Sequence, residues 1–409
     1  MLARAAAAIA VLVAPSTSWA LFDDRVELWA AENVTHDTNV LRLSKDINPQ
    51  EPNPSQLGDT IYTTHVGASL NALEGQQHFT AEATYYRSDF RFFKDFDFNG
   101  YTLMGNWAWV LGPTASGTLG YQDQRGLASF DNIQAATPDL VTTRQAYATG
   151  KWNLTPRWRA NGGLTAGETT HGNEARKVND IVVESAEAGL SYVTPLDNSI
   201  GLVSRYEHGR LPHDVTVVEV PNALSPTGVG LNTIPFESSY TQSGLGVMMT
   251  YILTGHSRVD ARADYVDRRY NAGSTQPNYK GPIARILYVW TPTVKFTLNA
   301  SASRDVGPAE DITTAFVLVT GGYIRPEWQI TDKVSLKANA EYNIWQYKSG
   351  PLTGADFTHH QRLFGVSVAW RPANKILLQA GYNYEKRAST LLFADYQDEV
   401  FFVEGRIGF

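Results

Sequence analysis

Residues 336–344 read Leu-Lys-Ala-Asn-Ala-Glu-Tyr-Asn-Ile, with apolar and polar side chains in strict alternation. Residues 295–303 and 375–385 repeat this pattern with different side chains. Successive residues of a β-strand point to opposite faces, so a period of two with one apolar face indicates a half-buried strand. No helical periodicity of similar length occurs after residue 20. The chain is therefore predicted to be all-β.

About eighteen such segments follow one another, at a mean spacing of roughly 22 residues, which is one long strand plus one connection. Short turns alternate with longer, polar loops that contain Pro and Gly. This alternation is typical of a transmembrane antiparallel up-and-down β-barrel of 16–18 strands, with short periplasmic turns and long extracellular loops. The longest predicted loops are 36–57, 124–139, 210–236 and 270–279.

The aromatic residues fit the same architecture. The sequence holds 20 Tyr, 17 Phe and 10 Trp. Several Trp residues, such as Trp158, Trp290 and Trp370, lie within a few positions of a short turn, whereas Tyr206 and Tyr265 lie near the long loops. Membrane–water interfaces select amphipathic rings at two depths. Two aromatic belts are therefore predicted on the outer face.

Both ends of the chain indicate passage to the outer membrane of a Gram-negative cell. Residues 1–20 have the layout of a secretory signal peptide, with cleavage near Ala20, and leave a single barrel domain at 21–409. The last strand resembles the insertion signal of outer-membrane barrels. Its alternate positions are Phe401, Val403, Ile407 and Phe409. The expected partners are outer-membrane lipid and the barrel-assembly machinery.

The composition and motifs argue against several other functions. Cys is absent, which excludes thiol catalysis and cysteine metal sites. The formal net charge is −7 without a long basic run, so no nucleic-acid partner is expected. His359 and His360 are adjacent and would point to opposite faces of a strand, which does not favour a shared metal ion. No motif for nucleophilic, metal-dependent or phosphate-binding chemistry is complete. We expect no enzymatic activity, metal or cofactor.

The polar partners of the apolar positions are predicted to line the pore. Basic and acidic residues are almost balanced among them, which predicts a mixed-charge lumen without a strong field of one sign. Tyr86, Tyr147, Tyr323 and Trp345 are the predicted lumen rings on which sugars would stack. In a second interpretation, these polar groups only satisfy one another inside a water-filled barrel. The predicted basic pore-lining residues are Lys151, Arg159, Arg205, Arg262, Arg285, Lys295, Arg325, Lys337, Lys375 and Arg406. The acidic ones are Glu82, Glu187, Glu207, Asp260, Asp264, Glu327, Glu341, Glu385 and Glu404.

A constriction or plug is predicted at one loop. The segment 210–236 carries Pro221, Pro226 and Pro235 and few charges after Glu219. A barrel of sixteen to eighteen strands is wide enough for an aqueous channel unless such a loop folds inward.

Residues 34–43 read Val-Thr-His-Asp-Thr-Asn-Val-Leu-Arg-Leu. This opening resembles the first strand and loop of EpsL-type outer-membrane barrels, which are found in exopolysaccharide biosynthesis operons and often beside exosortase systems. Asp37, Asn39 and Arg42 match family-typical positions, whereas Leu41 stands where an aromatic residue is commoner. Read locally, the same residues predict an Asx-type turn with Arg42 paired nearby.

The resemblance implies a role in moving or assembling extracellular polysaccharide across the outer membrane, with polysaccharide or oligosaccharide and periplasmic export components as partners. The first functional prediction is therefore a passive channel that serves polysaccharide export. Two alternatives stay open: a general diffusion porin for small solutes, and a non-conducting barrel that anchors material at the cell surface.

Overall fold

The computed structural model describes residues 25–46, 56–131, 137–221, 231–271, 277–307, 314–349 and 355–409. The predicted signal peptide lies outside them. These residues form eighteen strands and two short 3₁₀ helices, Lys94–Phe96 and Glu174–Asn179. The strands are β1 (Val26–Asp37), β2 (Asp59–Glu74), β3 (Gln77–Phe90), β4 (Phe98–Leu111), β5 (Ala115–Leu127), β6 (Leu140–Asn153), β7 (Trp158–His171), β8 (Ile181–Val193), β9 (Ser199–Pro221), β10 (Leu231–Thr254), β11 (Ser257–Tyr270), β12 (Tyr279–Thr293), β13 (Phe296–Gly307), β14 (Thr314–Thr331), β15 (Val334–Ser349), β16 (Phe357–Ala373), β17 (Ile376–Ser389) and β18 (Tyr396–Gly408).

The strands form one closed antiparallel barrel. Each strand pairs with its neighbours in sequence, and β1 pairs with β18 from Trp29↔Gly408 to Asp37↔Val400, which closes the sheet. Closure leaves no open edge, so the ladder satisfies the backbone groups of the wall. The prediction of an up-and-down barrel of about eighteen strands is confirmed. Across the described ranges, no helix combines the length and the apolar character needed to cross a membrane.

Short and long connections alternate around the barrel. The connection between β2 and β3 is two residues long, and the one between β12 and β13 is as short. The opposite end carries the longer connections, including 91–97 and 172–180. By the usual arrangement of such barrels, the short turns face the periplasm and the long connections face outward.

The prediction that residues 210–236 form a loop is largely wrong. β9 continues to Pro221 and β10 begins at Leu231, and these two strands pair with each other as far as Leu231↔Pro221. The pairing of β8 with β9 ends at Val182↔Arg210. Above that level, the hairpin of β9 and β10 therefore extends beyond its neighbour β8. Beyond Arg210 the described pairing of β9 with β8 has ended, and a strand edge of this kind tolerates proline.

The outer face of the barrel is apolar and carries the aromatic residues. Leu164 is 62% exposed, Leu202 is 62% exposed and Val403 is 61% exposed. Trp158 at the start of β7 packs edge-to-face on Tyr192 of β8, with ring centroids 5.6 Å apart, beside the short turns. Large apolar side chains that stay exposed on a closed barrel indicate a face that contacts lipid.

The closing seam between β1 and its neighbours is fixed by an inward-facing ring. Trp29 is 7% exposed, and the guanidinium of Arg406 lies 4.1 Å from its ring centroid. The same ring covers Gly67 of β2, where a Cβ atom would lie 2.4 Å from the ring. Only glycine leaves room for this close approach. Arg406 also lies 3.7 Å from Glu27, so a cation–π contact and an ion pair both stabilise the seam.

The last residue completes the seam on the outer side. The backbone N–H of Phe409 donates to the carbonyl of Leu28 at 2.8 Å. We expect deletion of Phe409 to remove this bond, worth about 1 kcal/mol, and to lower the yield of folded barrel in refolding into detergent. The shift of band mobility on heating measures that yield. Phe409→Trp keeps an aromatic end and should refold like the parent chain; equal loss in both variants would contradict the prediction.

Candidate functional site

The strand register separates the inner from the outer face. Residues directly opposite in a ladder share a face, and the face opposite the exposed apolar residues is the lumen. The rings Tyr86, Tyr147, Tyr323 and Trp345 also lie on this inner face. Lys295 and Lys375 lie in short turns rather than on the wall, a correction to the prediction, because β13 begins at Phe296 and β17 at Ile376. The remaining predicted pore-lining residues lie on the inner face: Lys151, Arg159, Arg205, Arg262, Arg285, Arg325, Lys337, Arg406, Glu82, Glu187, Glu207, Asp260, Asp264, Glu327, Glu341, Glu385 and Glu404.

The lumen contains a cavity of about 470 Å³ against the wall of β6–β13. Guanidinium–carboxylate pairs dominate its lining. Arg262 donates to Glu187 at 2.5 Å and to Asp264 at 2.7 Å, and Arg258 donates to Asp260 at 2.7 Å. Paired charges of this kind offer both donors and acceptors to a hydrated solute.

Two of the inward-facing cations of this cavity differ from the others. Within the described part of the chain, neither Lys151 nor Arg285 has an acidic partner within 4.0 Å, and both side chains are exposed to the lumen. Arg285 lies directly opposite Arg262 in the ladder of β11 and β12. Like charges in that relation repel each other. The cavity therefore presents two cations that form no ion pair with the described wall.

Charge is distributed unevenly around the lumen. The described inner positions of β2–β5 carry no lysine or arginine, whereas Lys151, Arg159, Arg205, Arg262 and Arg285 all belong to β6–β12. The sequence count was nearly balanced and predicted no strong field. The inner face of β8–β11 also carries Glu187, Glu207, Asp260 and Asp264, which form ion pairs with arginines, so a mixed-charge lumen without a strong field of one sign stays a prediction.

A charge network around Arg42 lies at the extracellular mouth. Its guanidinium lies 3.0 Å from Asp37, 3.2 Å from Asp398 and 3.4 Å from Asp131. These four residues, the Arg42 network, join the β1–β2 connection to the β5–β6 connection and to β18. Burial opposes the charge on Arg42, but the carboxylates of Asp37, Asp398 and Asp131 outweigh it and raise the pKa of Arg42. Arg42 therefore stays charged and links distant segments of the chain.

The turn that presents Arg42 is built by the two other motif residues. The carboxylate of Asp37 accepts the backbone N–H of Asn39 at 2.8 Å, which is an Asx turn. The side-chain amide of Asn39 accepts the N–H of Leu43 at 3.0 Å and donates to its carbonyl at 2.8 Å. Arg42 takes φ +55°, a left-handed conformation that costs a non-glycine residue about 1–2 kcal/mol. Its ionic contacts offset that cost.

An apolar cluster lies beside the network. The mouth cluster consists of Val40, Leu41, Phe90, Phe96 and Phe130, and all are at least 94% buried. It packs against Ile61, which faces the lumen from β2 through its pairing with Phe90. Residues from three connections thus fold inward over the inner face of the barrel. This narrows the mouth on the side of β1–β5.

Further buried aspartates anchor the connections. Asp59 is 1% exposed, and its carboxylate accepts the backbone N–H groups of Phe92 and Phe93 at 3.0 and 2.9 Å. Asp398 is also 1% exposed, whereas Asp131, which contacts Arg42, is only partly buried. Sequence reasoning missed all three. Asp59 and Asp398 lie at the start of predicted strands, and Asp131 lies in the predicted loop 124–139, which is the only signal that was available.

The segment that was predicted to plug the pore contributes less to the described structure. Residues 222–230 lie outside the described residues, and the rest of 210–236 pairs as a hairpin. His213 of this hairpin lies 2.9 Å from Asp180, which also accepts from His171 at 2.9 Å. Inward folding of 210–236 stays a prediction.

The adjacent histidines do lie on opposite faces. His359 is 5% exposed and packs inside against Tyr347, with ring centroids 5.0 Å apart. His360 faces outward, and Nδ1 of its ring lies 2.8 Å from the hydroxyl of Tyr342. Across the described ranges, no group of three or more His, Asp or Glu residues is arranged to hold a metal ion.

Comparisons with known proteins agree with this architecture. Residues 237–409, from β10 to β18, match the family model described as "Putative beta-barrel porin 2". No curated protein matches the chain.

Similar solved structures include the outer membrane protein OpdK of Pseudomonas aeruginosa, with 9% identity over 94% of this chain and 99% of that one and a TM-score of 0.47. OccK2 of the same organism, in complex with glucuronate, is 9% identical. The match covers 94% of this chain and 98% of that one, with a TM-score of 0.48. OccAB3 of Acinetobacter baumannii is 10% identical. The match covers 94% of this chain and 100% of that one, with a TM-score of 0.47. Likeness at this level carries no conclusion about the solute.

The family match covers fewer than half of the residues, so it indicates the kind of protein rather than membership of the family. The closed barrel and its lipid-facing apolar wall are consistent with that match. Taken together, these findings identify the chain as a porin-like β-barrel of the outer membrane.

Proposed function

We propose that the barrel is a passive channel for small hydrophilic solutes, with a preference for anions. The observation that carries this proposal is the cavity of about 470 Å³ in the lumen, lined by paired charges and by the unpaired cations Lys151 and Arg285. Its volume falls in the range of small-molecule sites. A hydrated solute exchanges its water for the donors and acceptors of the wall at little cost.

The preference for anions follows from simple electrostatics. A charge about 8 Å from a passing ion contributes about 0.5 kcal/mol in water, or roughly twofold in local concentration. Lys151 and Arg285 each contribute such a term, since neither forms an ion pair with a described residue of the wall. The paired arginines contribute less, because their carboxylates cancel most of the field.

The test is the reversal potential of the purified barrel in a planar bilayer under a gradient of KCl. We expect steady conductance and a preference for chloride, which Lys151→Gln and Arg285→Gln each reduce about twofold. Arg125→Gln is the matched control, because Arg125 faces outward opposite Tyr101 and changes the net charge equally. An unchanged ion preference in both lumen variants would contradict the assignment. A complete lack of conductance would instead support a non-conducting surface anchor.

Export of extracellular polysaccharide is the second candidate. It is favoured by the Arg42 network, in which the residues that resemble the EpsL-type opening tie the mouth connections together. A mouth held by such a link fits a channel that opens for a particular cargo. Polysaccharide, periplasmic export components and the barrel-assembly machinery are the partners in this proposal.

Polysaccharide fractionation in a deletion strain tests the second candidate. Polymer that accumulates in the periplasm while extracellular polymer falls would support export. Unchanged secretion would reject export and leave solute diffusion as the function.

A further inference from the structure

An unusual pair of cations lies on the outer face at the loop ends of β16 and β17. Arg362 and Lys386 are directly opposite each other in the ladder, and both side chains are exposed. The register also places Arg362 opposite Tyr342 of β15. The guanidinium of Arg362 lies 6.0 Å from the centroid of that ring. The two cations therefore lie side by side on the face that contacts lipid.

No carboxylate of the described chain neutralises this pair. Neither cation has an acidic partner within 4.0 Å among the described residues, although like charges directly opposite destabilise a sheet. The nearest outward carboxylate in the register is that of Glu399 on β18, which accepts the side-chain amide of Gln397 at 3.5 Å. His360 adds an imidazole on the same face, held by the hydroxyl of Tyr342 at 2.8 Å.

Several other outward-facing cations near the loop ends each have a carboxylate partner. Arg87 lies 2.9 Å from Asp89 and Arg269 lies 2.7 Å from Asp267. Arg144 bridges Asp123 and Glu168 at 3.3 and 2.7 Å. In each of these places the protein supplies its own anion. At Arg362 and Lys386 it does not, so an anion from outside the chain would relieve the repulsion.

The depth of the pair indicates where that anion comes from. Arg362 is two positions nearer the loop than Phe364, which is 49% exposed, and Lys386 is two positions nearer the loop than Tyr384. Outward aromatic rings at the ends of barrel strands mark the membrane interface. Below them the outer face of β16 continues with Val366 and Val368, which suits acyl chains. The cations thus lie at the level of lipid headgroups.

We propose that Arg362 and Lys386, assisted by His360 and Tyr342, bind the phosphate of a membrane lipid headgroup whose acyl chains lie along β16 and β17. The guanidinium and the ammonium supply charge-assisted hydrogen bonds to phosphate oxygens. The ring of Phe364, two positions farther from the loop than Arg362, flanks the acyl-chain side of the site. The occupant is a lipid rather than free phosphate, because the site opens toward the apolar face of the wall.

Native mass spectrometry of the detergent-solubilised barrel tests this proposal. Phosphatidic acid should remain bound to the barrel under conditions that remove diacylglycerol with the same acyl chains. Inorganic phosphate at equal concentration should not displace the bound phosphatidic acid. The double variant Arg362→Gln/Lys386→Gln should weaken the binding of phosphatidic acid about tenfold. The single variant Arg362→Lys should bind phosphatidic acid more strongly than the double variant but more weakly than the parent, because lysine keeps the charge without the planar fork of arginine.

The control is a second double variant, Arg125→Gln/Arg210→Gln, which removes the same charge from two separate outward sites. It should bind phosphatidic acid like the parent barrel. Equal weakening in both double variants would overturn the site in favour of general attraction to anionic lipid. Competition by inorganic phosphate would overturn the lipid as occupant, and unchanged binding in the first double variant would overturn the role of the pair.

Discussion

Replacing Arg42 with alanine is expected to open the mouth of the barrel and to raise its single-channel conductance. The change leaves three carboxylates, those of Asp37, Asp131 and Asp398, facing one another without their cation. Asp398 is only 1% exposed, so water cannot compensate well for the loss. Removing one partner of a buried charge cluster costs about 3 kcal/mol or more. We expect the β1–β2 connection to detach from β18 and the β5–β6 connection to follow.

Conductance in planar bilayers and unfolding by urea in detergent measure the two consequences. Arg42→Lys keeps the charge but not the planar fork that reaches three carboxylates, so its effect should be intermediate. Arg25→Ala is the control, because the Arg25–Glu74 ion pair is solvent-exposed and is worth less than about 1 kcal/mol. Conductance and stability like those of the parent in Arg42→Ala would show that the network does not hold the mouth.

Much of the barrel could be predicted from the sequence because its determinants are local. The alternation in 336–344 appears in the structure as β15, and every predicted strand has a counterpart in the described residues. Glu74-Gly75 and Gly112-Pro113 end strands by their backbone preferences, and both glycines take positive φ. The exception, 210–236, arose because single prolines were read as loop signals. In a hairpin that extends beyond its neighbours, they interrupt fewer ladder bonds.

The mouth could not be predicted in the same way because its contacts are not local. The Asx turn around Asp37 and Asn39 follows from adjacent residues, and the sequence predicted it. Asp398 reaches Arg42 because the barrel closes and brings the end of the chain beside its beginning, and Asp131 reaches it from the β5–β6 connection. Nothing in the pattern around either aspartate distinguishes it from a residue that caps an ordinary turn.

The lumen shows a related limit. Alternation correctly separates inner from outer positions, so the balance of charge could be counted. The position of each charge around the barrel and the identity of its partner depend on register. Arg262 faces Glu187, which lies 75 positions earlier in the chain, across β9 and β10. The unpaired state of Arg285 is a property of that arrangement rather than of the sequence around it.

Leu41→Asp should disrupt the mouth more strongly than any other single change in the apolar cluster. Leu41 is 1% exposed within the mouth cluster. Truncation to alanine would already cost about 2–5 kcal/mol through lost contacts and a cavity. A carboxylate adds the cost of a buried charge and repulsion from the neighbouring aspartates of the Arg42 network. We expect a higher conductance than in Leu41→Ala, together with a lower urea midpoint.

Leu392→Asp is the matched control, because Leu392 is 80% exposed in the β17–β18 connection and should tolerate the charge. Comparison with Arg42→Ala then shows which force holds the mouth. Salt screens charges but leaves apolar burial intact or strengthens it. If the parent channel gains conductance in concentrated salt beyond the rise in bulk conductivity, the Arg42 network carries most of the restraint. If it does not, and Leu41→Asp alone opens the mouth, the apolar cluster is the main restraint and Arg42 mainly fixes the position of Leu41.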